Sequence, residues 1–223
     1  MSRAGGKEDK ELAGAIRELV EQMMACDAPA GATTAAAETV RSVTNALKTA
    51  GGKPRLPLTQ APDGDVAAFF RFSPVSGESN PLAPPARLEL QGQQVVGSVT
   101  FNSAYEGPPG YVHGAFVAAV FDELLGITNA TLGLPAMTGL LEVRYHRPTP
   151  LGKEIRLVGR HVELNGRKSI ATGEFFDGET LLAEAKGTFI AVKPAKAMEL
   201  FGAQLERIQA DQEAGEESLP AEK

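Results

Sequence analysis

Apolar residues follow three different rhythms along this chain. Between Glu8 and Cys26, Leu12, Ile16, Leu19, Val20 and Met23 recur at helical spacing and predict an amphipathic helix. A second helix is predicted over Ala35–Ala50 and is stopped by Gly51-Gly52-Lys53-Pro54, because Gly followed by Pro punctuates helix ends. Asp27–Gly31 and Gly51–Asp65 read as linkers. Ser, Pro and Gly make residues 73–85 a loop or extended arm ending in Asn80-Pro81-Leu82-Ala83-Pro84-Pro85. From Leu88 the rhythm becomes alternation: Leu88 and Leu90, a turn at Gly92, then a strand over Val95–Phe101. A block apolar on every side predicts a long helix over Val112–Leu132. Alternation resumes in Met137–Arg147, Glu154–Leu164, Lys168–Phe176 and Thr180–Val192, with hairpin turns at Asn165-Gly166 and Asp177-Gly178.

Strands before a long helix and an antiparallel meander after it predict an α+β fold, a sheet wrapped around one central helix. The expected organisation is an N-terminal helical extension (1–60), a main domain (61–195) and a C-terminal part (196–223). The last holds a helix from Lys196 to about Gln212 and an acidic tail whose composition predicts disorder. The apolar stripe of the first helix reads as a docking face against the main domain.

Composition narrows the function. At 223 residues, 43% hydrophobic and 22% charged, the chain has room for one packed domain with extensions. A net charge of −6 argues against broad nucleic-acid binding. No run reaches the length of a membrane span and no apolar segment follows the N-terminal residues, so a cytoplasmic location is the default expectation. The single Cys26 forms no internal disulfide, which agrees with a reducing compartment. His113, His146 and His161 are far apart and lack ligand-spaced acids, so no metal site is expected. No phosphate-binding glycine loop and no Gly-x-Ser-x-Gly elbow occur.

The apolar block holds one anomaly. Gly110–Gly126 is so uniformly apolar that it predicts a helix buried all round, yet it carries Asp122. Burial would raise the pKa of that carboxyl and penalise its ionised form, so it needs either a partner or a chemical purpose.

His113-Gly114, with an acid eight residues after the glycine, resembles the motif of the hotdog-fold acyl-CoA thioesterases of the phenylacetyl-CoA type and their animal relatives. Glu106-Gly107-Pro108-Pro109-Gly110 is similar to their loop before the central helix. Arg144-Tyr145-His146-Arg147-Pro148-Thr149-Pro150-Leu151-Gly152 resembles the strand and turn that follow, and Asn165-Gly166-Arg167-Lys168 their hairpin. The likeness covers about residues 80–193, and four segments in order are more specific than His-Gly alone. The resemblance implies a hotdog fold and hydrolysis of a fatty or aromatic acyl-CoA, CoA being part of the substrate and no separate cofactor being required.

The residues support that chemistry. A thioester carbonyl becomes an oxyanion under attack, and first-turn helix amides lie at the positive end of the dipole without intrahelical partners. Gly114 offers such an amide at close approach, or else merely permits tight packing. Ala115 departs from the family, which commonly has a second Gly there. His113 either orients the carbonyl region, as the resemblance implies, or is a hydrogen-bonded structural group. Asp122 is the candidate base or nucleophile. Its neighbour Glu123 points about 100° away and is expected to meet a base or solvent. Thr138 either holds the catalytic water or is a strand residue with a satisfied hydroxyl. An Asn or Gln that some relatives place shortly before the His is missing, so its role is vacant or passes to Asn102, Tyr105 or Glu106.

Among the bases Arg144, Arg147, Lys153, Arg156, Arg160, Arg167 and Lys168, the candidates for the CoA phosphates are Arg144, Arg147, Arg167 and Lys168. The alternative is that all are solvated strand edges. Gly114 and Asp122 are separated by about 12 Å along a helix, too far to touch one carbonyl, so the site is expected to be shared in a homodimer or a dimer of dimers. Competing readings are a hotdog enoyl-CoA hydratase or dehydratase, and a non-catalytic acyl-CoA-binding module.

Overall fold

The stretches with period-two alternation all enter one antiparallel sheet. The computed structural model describes residues 6–51, 70–84, 86–133 and 136–192, together with 196, 199 and 202. Its elements are α1 (Lys7–Ala25), α2 (Ala30–Thr49), β1 (Arg87–Gln91), β2 (Gln94–Thr100), a 3-10 turn (Ser103–Tyr105), α3 (Gly114–Ala130), β3 (Ala136–Tyr145), β4 (Glu154–Asn165), β5 (Lys168–Asp177) and β6 (Thr180–Ala191). Strand ends agree with the alternation to within about two residues. The expected C-terminal helix and tail lie outside the described residues, except for those three positions.

The strands run in the order β1-β2-β4-β5-β6-β3. After α3 the chain therefore crosses to the far edge, where β3 pairs, among the described residues, only with β6. The sheet curls around α3, burying Val117, Val120, Phe121, Leu124 and Leu125 against Ile155, Leu157, Phe175 and Phe189. Phe121 stacks on Phe175 with ring centroids 3.9 Å apart. Glycines form the seat of the helix. A Cβ on Gly159 would stand 2.4 Å from the Thr128 hydroxyl oxygen, and one on Gly173 would meet Phe121 and Leu125 at 3.1 Å. These two positions are paired across β4 and β5, so the helix settles onto bare backbone. This is the hotdog architecture that the resemblance implies.

One expectation fails. The helix α3 is not buried all round, because a single curled sheet covers only one side of it. Ala115, Asp122 and Ala130 are exposed, and Ala118, Ala119 and Gly126 are half-buried on the same open face. Asp122 is consequently not the buried carboxyl that the apolar run predicts.

The helix α1 lies in the same compact unit as the sheet, whereas α2 lies in a second unit, so the two helices grouped as one extension divide between units. Ala13 of α1 is buried. The Arg17 guanidinium donates to the carbonyls of Asn80 (2.8 Å) and Glu78 (3.2 Å), and Lys10 pairs with Glu78 at 2.8 Å. The arm before β1 is thereby tied to α1. The Tyr105 hydroxyl donates to Leu82 O at 3.2 Å and fastens the arm to the 3-10 turn. Burial pushes the Tyr105 phenol up to about 12, against a smaller opposing pull from the Arg17 charge. In the second unit, α2 starts five residues before the expected Ala35, directly after Pro29, and none of its residues is buried. Its threonines donate to carbonyls four residues back, as Thr34 does to Ala30 and Thr39 to Ala35, which fits β-branched residues into a helix.

Candidate active site

The start of α3 is fixed by a tightly stitched loop. Gly107 N–H donates to Tyr111 O (2.9 Å), Tyr111 N–H to Pro108 O (2.9 Å), and His113 N–H to Tyr105 O (2.9 Å). The Glu106 carboxylate accepts from Gly110 N–H at 2.6 Å and closes the turn, where Gly110 takes a φ of 82°. His113 caps the helix: its Nδ1 accepts from Ala115 N–H at 3.1 Å and its carbonyl from Phe116 N–H at 3.0 Å. An Nδ1 that accepts leaves the proton of the neutral ring on Nε2. Gly114 N–H, alone in this first turn, has no partner among the described residues. Tyr145, the last residue of β3, donates its hydroxyl to Gly114 O at 2.9 Å. A Cβ on Gly114 would be 3.5 Å from the Tyr145 ring, an ordinary contact, so internal packing alone does not require glycine here.

The carboxylate lies two turns further on. Thr138 Oγ1 donates to Asp122 Oδ1 at 2.8 Å, so the threonine hydroxyl is committed to the acid itself. In a regular strand, Thr138 and Tyr145 would point to opposite faces. A bulge resolves this: Thr138 pairs with Phe189 and Leu140 with Thr188, leaving Gly139 as an extra residue, and both side chains reach α3. Glu123 is half-buried, so it keeps partial access to solvent, and it accepts a hydrogen bond from the Ser76 hydroxyl of the arm; among the described residues no base pairs with it.

The three residues suggested for the vacant Asn role are all engaged elsewhere. Asn102 Oδ1 accepts from Ala104 N–H, Tyr105 donates to the arm, and Glu106 closes its own loop. Most of the clustered bases are also engaged. Arg144 and His146 lie within 3.6 and 3.3 Å of Glu184, Lys153 pairs with Asp177, Arg160 pairs with Glu174, and Arg156 stacks 4.2 Å over the Phe176 ring. Because it adjoins Tyr145 in a strand, Arg144 points to the face away from α3 and is not brought to the site. Arg147 is exposed just beyond β3. Arg167 and Lys168 sit at the β4–β5 hairpin, where Arg167 Nε donates to Ala191 O at 3.1 Å. Lys168 pairs with Ile190, one residue beyond the Thr138–Phe189 pair, so the hairpin lies at the Thr138 end of the sheet, about 10 Å away across two strands. Among the described residues no three His, Cys, Asp or Glu side chains cluster as metal ligands, and no helix is long and apolar enough to cross a membrane.

Sequence reasoning did not assign Tyr145 or Ser76 a role. Both contacts depend on register, one through the bulge and one through the path of the arm, and alternation patterns carry no such information.

A curled antiparallel sheet seated on one helix, with a free amide at the helix start and an acid two turns later, defines a hotdog protein with a candidate acyl-transfer site. The chain belongs to the thioesterase superfamily, whose family model matches residues 109–184. The crystal structure of a thioesterase superfamily protein is 33% identical, covers 83% of this chain and 96% of its own, and superposes with a TM-score of 0.75. Acyl-coenzyme A thioesterase THEM4 of Mus musculus is 33% identical over 95 residues, 42% of this chain and 41% of its own. THEM4 of Xenopus laevis is 33% identical over 91 residues, 40% and 41% of the two chains. The chain thus spans about two-fifths of the length of the curated relatives it matches.

Proposed function

We propose that the protein hydrolyses a fatty or aromatic acyl-CoA to the free acid and CoA, in a site shared by two copies of the chain. The observation that carries this reading is the pairing of one unpartnered helix-start amide, Gly114 N–H, with Asp122 on the face of α3 that the sheet leaves open. Gly114 N–H donates to the thioester carbonyl and stabilises the developing oxyanion. The proton on His113 Nε2 gives the exposed imidazole a donor beside that carbonyl. Thr138 holds Asp122 Oδ1, which leaves Oδ2 to deprotonate water or to attack the carbonyl directly. In the first route the water oxygen bonds to the carbonyl carbon as the C–S bond breaks, and the proton taken by Asp122 passes to the departing CoA thiolate. In the second the C–S bond breaks to an acyl–Asp122 anhydride, which water hydrolyses to the free acid, supplying the proton for the thiol.

Two features support a homodimer. The ten-residue strand β3 is a sheet edge with one side unpaired among the described residues, and the open face of α3 is built of small residues that let a second helix approach. Antiparallel central helices would set Gly114 of one copy against Asp122 of the other, with Arg167 and Lys168 at the mouth for the CoA phosphates. A further pairing into a tetramer is compatible with this arrangement.

The test is thiol release from thioesters of increasing chain length and from benzoyl- and phenylacetyl-CoA. Turnover of enoyl-CoA without thiol release would replace hydrolysis with hydration, and saturable binding without turnover would leave a binding module. For the shared site, Asp122→Asn and Gly114→Pro are unfolded and refolded together. Pro is suited to position 114, the first helical residue, because His113 before it is extended (φ −64°, ψ 131°). About half the dimers would be mixed with one intact site each, returning roughly a quarter of the wild-type activity. No recovery despite demonstrated subunit exchange would remove the shared site.

A further inference from the structure

We propose that Tyr145 is a positioning residue that sets the protonation geometry of His113 through the peptide between Gly114 and Ala115. The inference rests on the thioesterase reading for its kinetic consequence but not for its structural one. Three groups form a continuous relay. The Tyr145 hydroxyl donates to Gly114 O at 2.9 Å; that carbonyl belongs to the same peptide as Ala115 N–H; and Ala115 N–H donates to His113 Nδ1 at 3.1 Å. Donation to a peptide oxygen draws electron density from the nitrogen and makes its N–H a stronger donor, so the two hydrogen bonds reinforce each other.

The consequence falls on the imidazole. While Ala115 N–H occupies Nδ1, the neutral ring keeps its proton on Nε2 and cannot turn to cover Gly114 N–H. Without the Tyr145 hydroxyl, the capping bond weakens and the ring samples its other tautomer and other orientations. The site then loses a fixed donor and intermittently shields its free amide. Tyr145 is suited to this task because it is half exposed and carries little of the core. Its ring also stands beside Gly114, 3.5 Å from where a Cβ would lie, so a purely packing role is the competing explanation.

Two substitutions separate these roles. Tyr145→Phe keeps the ring and removes the hydroxyl; Tyr145→Leu removes both. The readouts are hydrogen exchange of the Ala115 amide, nitrogen-15 shifts of the His113 ring, and kcat and KM for a hydrolysed acyl-CoA, with thermal unfolding checked for both variants. In Tyr145→Phe, Ala115 exchange should rise several-fold and the Nδ1 signal should move toward a tautomer average. The value of kcat should fall about 3- to 10-fold, as for loss of one modest hydrogen bond, with KM little changed. If Tyr145→Phe matches the wild type in exchange and ring shifts, and only Tyr145→Leu is impaired, the hydroxyl positions nothing and the proposal is overturned. Should the wild type release no thiol from any thioester, the exchange and ring-shift measurements decide the proposal alone, and only the functional reading has failed.

Discussion

The two ends of the open face of α3 are built in opposite ways. At the Gly114 end, the loop from Glu106 to Val112 is closed on itself by backbone hydrogen bonds, His113 caps the helix, and Tyr145 holds the first carbonyl. At the Asp122 end, one hydroxyl on a bulged strand holds one carboxylate oxygen. A donor that stabilises developing charge gains from being immobile, since any reorganisation during reaction weakens it. An acid that must accept a proton needs a free oxygen and room beside it. Under the proposed reaction, the contrast in rigidity matches the contrast in task.

Asp122→Asn attacks the looser end most directly. Thr138 can still donate to the amide oxygen, so the unfolding temperature should hold while kcat for thiol release falls on the order of 10²- to 10⁴-fold. Gly114→Pro strikes the rigid end by deleting a single N–H, and a loss on the order of 10²- to 10³-fold is expected from the same assay. Were this loss trivial, the rigid end would be scaffolding only. Thr138→Val leaves Asp122 without its donor and should lower kcat about 3- to 10-fold, with Thr138→Ser restoring it. Replacing Arg167 and Lys168 together by Ala should raise KM for acyl-CoA a few-fold, as expected for exposed charges, while sparing a short thioester without the nucleotide.

The smallest effect concerns the foundation of the rigid end. The folded Tyr105 phenol is raised from 10 to about 12, so its contribution to stability is complete below pH 10 and is lost as the pH rises through 12. Denaturant unfolding between these pH values should show the decline, and Tyr105→Phe should flatten it. Unchanged slopes would place the burden of that end on the loop alone.

Much of this was legible in the residues. Alternation located every strand, Asn165-Gly166 and Asp177-Gly178 marked their hairpins, and the spacing of Gly114 to Asp122 singled out the two ends. Periodicity failed where tertiary coverage decides. The apolar block reads as buried on all sides because Ala and Gly count as apolar, yet on the open face they serve as small residues. Charge clustering likewise suggested a basic patch, but Arg144, Lys153 and Arg160 each pair with a carboxylate brought from another part of the chain, Arg144 directly across the strands from Glu184. The seat of the helix escaped notice because Gly159 and Gly173 signal nothing until β4 and β5 are laid side by side.

The bulge at Gly139 has a wider consequence. Seven positions separate Thr138 from Tyr145, an odd count that strand geometry forbids for two side chains facing the same way. The parity of this segment is thus as much a property of the site as the identity of its residues. Loss of Gly139 would leave six positions, the even count of a regular strand, and keep both side chains on α3, whereas straightening the bulge at unchanged length would leave every site side chain in the chain and still send the threonine to the wrong side. Substitution scans, which keep the length, leave this parity untouched; deletion of Gly139 tests it, and the Thr138–Asp122 hydrogen bond should survive.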